Sequence, residues 1–163
     1  FKKSIDNRFP PEFIEMTALP AWIYINLKKI IGEKKAYEIM RVTLLSGGVA
    51  LQSLLFNTVS QKRSFQYFIA QELEINRTGT TRWNTLEVVE RSDQRFEIKI
   101  TRCLFHELAC SLNIPEFTPL ICQVDNAVFN SYLPEKMIFH RGKNTRRIAD
   151  GGDFCTFVWE VRD

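Results

Sequence analysis

Apolar residues recur at helical spacing through roughly the first 75 positions and at alternate positions from about residue 85 onward, so the chain changes period part-way along. Residues 11 to 31 read as a helix whose apolar face carries Ile14, Leu19, Trp22, Ile23, Ile25, Leu27, Ile30 and Ile31. Pro20 lies inside that pattern and is expected to kink or split it, because proline removes one hydrogen bond and crowds the preceding turn. Gly32 suits a C-cap, and Glu33 opens a second helix through Ala36, Tyr37, Ile39, Met40, Val42, Thr43 and Leu45. Gly47-Gly48 is expected to interrupt it, with helix resuming through Leu51, Leu54, Leu55 and Phe56. A helix apolar on nearly all sides is buried or sits in an oligomer interface. A third helical segment, Ser60 to Leu73, places Phe65, Phe68, Ile69 and Leu73 on one stripe, read as core, and Asn76 to Thr81 reads as a loop.

The alternating part begins with Leu86, Val88 and Val89 as a first strand and Ser92-Asp-Gln-Arg95 as a turn. Phe96, Ile98 and Ile100 then alternate with Glu97, Lys99 and Thr101, the signature of an antiparallel strand buried on one face. Cys103 to Asn113 reads as a short helix ended by Ile114-Pro115. Thr118-Pro119 starts the next, with Thr as N-cap and Pro at the first helical position, running to about Leu133. Met137 to Asn144 is a third strand, Asp150-Gly-Gly-Asp153 a turn and Phe154 to Arg162 a fourth strand. The order of elements predicts an α+β fold. A helical layer from the N-terminal part packs on a four-stranded antiparallel sheet, with two helices between the second and third strands. Residues 1–163 are expected to form a single domain, with a helical part over 1–75 and a sheet and Cys/His part over 84–163.

Composition narrows the function class. An apolar fraction of 45% with 25% charged residues is that of an ordinary globule and excludes a disordered chain. The net charge of +3 is small and its Lys and Arg are dispersed, so nucleic acid is not expected as a partner. The longest apolar run, Ala18 to Leu27, contains Pro20 and Asn26 and is too short to span a bilayer. The start, Phe1-Lys-Lys-Ser-Ile-Asp, has no apolar signal-peptide core, and four Cys are few for a secreted disulfide scaffold. Reduced thiols in a cytoplasm are expected. The chain does not open on Met, which leaves room for a piece ahead of Phe1.

Candidate chemistry gathers between Cys103 and Phe157. On the short helix Cys103, His106 and Cys110 stand at i, i+3 and i+7 and share a face, as do Cys122, Asp125 and Phe129 on the next. Arg141 falls on the core-facing side of the third strand with Met137 and Phe139, while His140 faces the other way. A buried Arg needs an anion, which Asp125 or a substrate carboxylate could supply. Cys155 shares its face with Phe157, Trp159 and Val161. Cys122, near a helix N-terminus, and Cys103, near the His106 imidazole, are candidate thiolate nucleophiles, with His106 or Asp125 moving protons. Two other readings stay open. Cys103, His106, Cys122 and Cys155 could hold a zinc ion, although no cofactor is required. Alternatively the three cysteines are small buried apolar residues, while Cys110, outside the pattern, and His140 are taken as structural. Glu107, adjacent to His106, is kept as a substrate-binding candidate beside Arg141 and Cys155.

The ordered set Cys103-x-x-His106-Glu107, Ile114-Pro115, Cys122-x-x-Asp125, Phe139-x-Arg141, Thr145, Gly152 and Cys155-x-Phe157 resembles the L-2-amino-thiazoline-4-carboxylic acid hydrolase family. The resemblance covers about residues 98 to 158, and Leu104 stands where that family leads one to expect proline. It implies a cytoplasmic bacterial enzyme that opens a cyclic amidine-like C–N/C–S ring to a carbamoyl-cysteine, with Arg141 holding the substrate carboxylate. It also implies distant kinship with 4-vinyl-reductase-like and TRAPP-subunit folds, which often enclose a small apolar ligand. The competing reading is a non-catalytic ligand-binding or assembly module, and the apolar N-terminal helices suit a homodimer interface.

Overall fold

The computed structural model describes residues 1–56, 63–142 and 146–162. Its order is helix α1 (Pro11–Ile31), α2 (Glu33–Leu55), α3 (Phe65–Thr78), strand β1 (Thr85–Arg91), β2 (Arg95–Arg102), α4 (Leu104–Ser111), α5 (Phe117–Tyr132), β3 (Met137–His140) and β4 (Cys155–Val161). The fold is α+β, with the helices first and two more between β2 and β3. The strands form one antiparallel sheet in the order β1-β2-β4-β3. The expected start of the third helix at residues 60–62, and the expected end of the third strand at 143–144, lie outside the described residues, as does Thr145.

The alternation in β2 carries straight into the core. Phe96, Ile98 and Ile100 face inward and pair with Trp159, Phe157 and Cys155 of β4, which in turn pairs Trp159 with Phe139 of β3. Helices α3 and α5 cover that face through Phe65, Phe68 and Ile69 on one side and Val124, Val128, Phe129 and Tyr132 on the other. Phe129 meets Phe139 edge-on with ring centroids 4.8 Å apart, and Phe96 stacks on Trp159 at 5.3 Å. Such pairs add to the burial of their area. Ser64 caps α3, its side chain accepting from the Tyr67 amide.

Two expected breaks are absent. Helix α1 runs unbroken through Pro20 because packing on both sides holds one axis: Phe13, Thr17 and Ala18 before it, Ala21 and Tyr24 after it. The buried face of α1 is also not the one that hydrophobic bulk suggested. Leu19, Trp22 and Ile30 are exposed, while small residues line the contact, with Ala21 of α1 clustering with Ala36 of α2 and Ala109 of α4. Close approach of helices selects for small side chains here, and a count of large apolar residues misses it.

Helix α2 likewise continues through Gly47-Gly48. A Cβ at Gly48 would stand 2.6 Å from Val124 Cγ2, whereas one at Gly47 would meet nothing within 4 Å. Gly48 is therefore a contact residue that lets α2 lie against α5, and not a helix breaker. Exposed apolar side chains persist on this layer at Leu19, Trp22, Ile30, Ile39, Val42, Leu51 and Leu54. Among the described residues no helix is long and apolar enough to cross a membrane.

Smaller shifts occur at element ends. Helix α3 extends to Thr78, into the expected loop. Helix α5 opens at Phe117 with Glu116 as N-cap, so Thr118 is inside it, two residues earlier than the Thr-Pro signal suggested.

Candidate active site

A cavity of about 190 Å³ opens between α2, α3, α5 and the inner face of the sheet. Five of the candidate residues line it: Cys103, Cys122, Asp125, Arg141 and Cys155. Each arrives from a different piece of local structure. Cys122 and Asp125 sit one turn apart on α5, above Phe129 on the same face. Cys103 is the extended residue between β2 and α4, Arg141 follows the last residue of β3, and Cys155 opens β4.

Arg141 is the hub. Its Nη2 donates to Asp125 Oδ2 at 3.0 Å and to the Cys122 carbonyl at 3.1 Å, and its guanidinium lies 4.4 Å from the centre of the Phe157 ring. The anion that a buried Arg requires is thus present in the protein as Asp125. Gln52 of α2 donates to the other oxygen, Asp125 Oδ1, at 3.3 Å. Burial pushes the Asp125 carboxyl up from the ordinary carboxylate range, opposed by Arg141 and by the Gln52 hydrogen bond.

His106 and Glu107 are not part of this wall. The His106 ring faces Thr118 Oγ1 through Nδ1 at 3.2 Å and Cys110 Sγ through Nε2 at 3.4 Å. No side-chain contact joins it to Cys103, because Cys103 precedes α4 and does not share the helical face that its spacing implied. Cys110 is exposed and is the sulfur that pairs with this imidazole. Glu107 forms a two-pronged pair with Arg102, at 2.6 and 2.8 Å, on the protein surface. His140 faces the outer side of the sheet, 3.3 Å from Glu160.

The thiols stand in an unexpected electrostatic setting. Burial pushes Cys103 up to about 11, with the backbone N–H groups of His106 and Phe105 opposing. Cys122 rises to about 12, first through burial and then through the charge of Asp125, while Arg141 and Arg147 oppose. Burial also raises Cys155, whose Sγ accepts from the Ile148 amide at 3.2 Å. Cys122 lies in the second turn of α5, where the end-of-helix field has faded, so the anticipated thiolate stabilisation is not realised. At neutral pH all three are thiols. Nor do they assemble with His106 as the possible zinc set: among the described residues no three His, Cys, Asp or Glu side chains are grouped to hold a metal ion.

One cavity residue escaped the sequence reading. Glu72 of α3 is 6% exposed and lines the same space, accepting from Asn76 Nδ2 at 2.8 Å. Burial raises its carboxyl from 4.5 to about 7, the Asn76 hydrogen bond opposes and the charge of Asp125 adds. The signal was present: Glu72 follows Phe65, Phe68 and Ile69 by seven, four and three positions, so an acid falls on the core stripe of α3. Most of the remaining wall is apolar, including Leu51, Leu55, Ile75, Phe105, Ile121 and Phe157. An apolar cavity with a few convergent polar groups is the common form of a small-molecule site.

The sequence matches the family described as L-2-amino-thiazoline-4-carboxylic acid hydrolase over residues 12–159. The chain belongs to that family. The match takes in α1, α2 and α3, well beyond the region where motifs alone carried the resemblance. A search among curated proteins finds no match. Within the family match lie every residue of the Arg141–Asp125 hub and Glu72.

Proposed function

We propose that this protein hydrolyses a small cyclic amidine that carries a carboxylate, of the L-2-amino-thiazoline-4-carboxylate type, to a carbamoyl-cysteine. The observation that carries the reading is Arg141, a cation on the wall of an otherwise largely apolar cavity, in a chain of this hydrolase family. At about 190 Å³ the space is below the roughly 300–1,000 Å³ of drug-sized sites and suits a compact ring. Arg141 binds the substrate carboxylate, its fork of donors matched to two oxygens in a way Lys cannot copy. Asp125, with Gln52 behind it, fixes the guanidinium in place.

Water is the nucleophile in this proposal, since the cavity thiols are held protonated. Its oxygen bonds to the ring carbon between N and S, giving a tetrahedral intermediate. The electrons of the carbon–nitrogen double bond move to nitrogen as the oxygen adds. The bond from that carbon to ring sulfur or ring nitrogen then breaks as the carbonyl forms, and the water's two protons end on the leaving atom and on the amidine nitrogen. The cysteines shape the cavity. A reducing, cytoplasmic setting belongs to the same reading and is supported by the four free thiols.

A second reading has an observation of its own. A mostly apolar wall with unreactive thiols is what a non-catalytic ligand-binding module presents. Incubation of the purified protein with L-2-amino-thiazoline-4-carboxylate, followed by mass spectrometry, separates the two. A product one water heavier, absent with Arg141→Ala, supports the hydrolase. Unchanged substrate in the presence of folded protein rejects it in favour of the binding module, and the released cavity contents then identify the ligand.

A further inference from the structure

The hydrolytic step needs a group that takes a proton from water and returns it to the leaving atom, and the expected providers are poorly placed for it. His106 is turned to Thr118 and Cys110 behind the wall. Asp125 is held on both oxygens, by Arg141 and by Gln52. Glu72 differs from both. It is buried in the wall of the same cavity, and the one hydrogen bond to its carboxyl among the described residues comes from Asn76. Arg141, the cation of the cavity, pairs with Asp125, and the groups acting on the Glu72 carboxyl are Asn76 and Asp125. A carboxyl kept dry and without a counter-ion destabilises the protein, so a purely structural account of its presence is weak. Gln52, which lines the same cavity, has its side-chain oxygen buried and without a partner among the described residues, a further polar atom left for whatever occupies the space.

We infer that Glu72 is the general base and general acid of the ring opening, an assignment that rests on the hydrolase reading above. Ionised Glu72 takes one proton of the attacking water as its oxygen bonds to the ring carbon. The carbon–nitrogen double bond opens onto its nitrogen as the water oxygen adds. Protonated Glu72 then gives its proton to the ring sulfur or nitrogen as that atom's bond from the carbon breaks. The water's second proton passes to the amidine nitrogen as the carbonyl forms, and the carboxylate is regenerated. The other titratable groups of the cavity are Cys103, Cys122, Asp125, Arg141 and Cys155. Of these, Asp125 acts on Glu72 through its charge, and Asn76 acts through its hydrogen bond. A carboxyl raised to about 7 is suited to move a proton in both directions at neutral pH.

The test is the pH profile of ring opening by the parent protein, Glu72→Gln and Asn76→Ala, with product followed by mass spectrometry. The parent is expected to show an inflection near neutrality in kcat/KM. Glu72→Gln, which keeps the Asn76 hydrogen bond, loses about 100-fold or more in kcat with little change in KM, and the inflection disappears. Asn76→Ala moves the inflection to higher pH, because the bond it removes favours the charged carboxylate. If Glu72→Gln turns over with the parental profile, or Asn76→Ala leaves the inflection in place, the assignment is overturned while the hydrolase reading stands. A parent protein that opens no ring at any pH overturns both.

Discussion

Arg141, at the end of β3, and Asp125, on α5, stand 3.0 Å apart and join the sheet to the helix that covers it. The same Nη2 also holds the Cys122 carbonyl one turn earlier. Both side chains are largely shielded, at 15% and 19% exposure, so solvent does little to screen the pair.

Removing one partner leaves the other charge in the wall. Asp125→Ala is expected to destabilise the protein by about 3 kcal/mol, measured by urea denaturation, and Asp125→Asn by less, since an amide oxygen still accepts from Arg141. The double variant Asp125→Leu/Arg141→Met should recover much of the loss. If Asp125→Ala unfolds at the parental midpoint, the pair does not tie α5 to the sheet.

Glu72 carries a pH signature in stability as well as in rate. Its carboxyl titrates near 7 in the folded chain against 4.5 when unfolded. Between those values the unfolded chain has released a proton that the folded chain keeps, so stability from this group falls as pH rises through the window and stays low above it. The full effect is about 3 kcal/mol at 1.36 kcal/mol per pH unit. Glu72→Gln should therefore be more stable than the parent above about pH 7, with the difference vanishing toward pH 4. Equal differences in urea denaturation at both ends of the range would contradict a raised carboxyl.

Thiol chemistry separates the cysteines. At about pH 8 iodoacetamide should modify one thiol quickly, Cys110, which is exposed. Cys103, Cys122 and Cys155 should react only slowly until the protein is unfolded, because burial keeps them protonated. In the same spirit, Cys103→Ser and Cys122→Ser should each retain turnover within about tenfold. A loss of several orders of magnitude in either would restore the thiol as nucleophile.

The adjacent glycines of α2 should respond with opposite sign. Gly47→Ala adds a methyl in open space and gains helix propensity, so it should stabilise by up to about 1 kcal/mol. Gly48→Ala gains the same propensity but drives a methyl into Val124, a stiff β-branched side chain that is 5% exposed. Overpacking costs about 1–3 kcal/mol, so the net change is destabilising. The double variant Gly48→Ala/Val124→Ala should lose most of the clash, and thermal melts of the four proteins check the set.

Much of the fold was legible in local pattern. The alternation Phe96, Ile98, Ile100 placed β2 and its inward face. The stripe Phe65, Phe68, Ile69 placed the core side of α3, and the i, i+3, i+7 spacing put Cys122, Asp125 and Phe129 on one side of α5. These features depend on backbone periodicity, which sequence spacing reports directly. The motifs between Cys103 and Phe157 include Cys122 and Asp125 on α5, whose shared face spacing reports, but also Cys103 and Arg141, which stand just outside α4 and β3 and whose placement period alone does not give.

What the sequence determined by itself was the α+β order of elements, the family, and the requirement that a core-facing Arg141 find an anion. Tertiary structure alone decided which anion it was, that His106 turns to Cys110, and that Glu72 of α3 joins the site some fifty residues away along the chain. It also decided that Pro20 and Gly47-Gly48 lie within unbroken helices. The reason is physical: periodicity fixes which face a side chain takes on its own element, but burial and charge pairing depend on what another element brings against that face. Here α2, α3, α5 and the sheet meet around one cavity, and its dryness, which no local pattern encodes, raises the carboxyl and thiol pKa values.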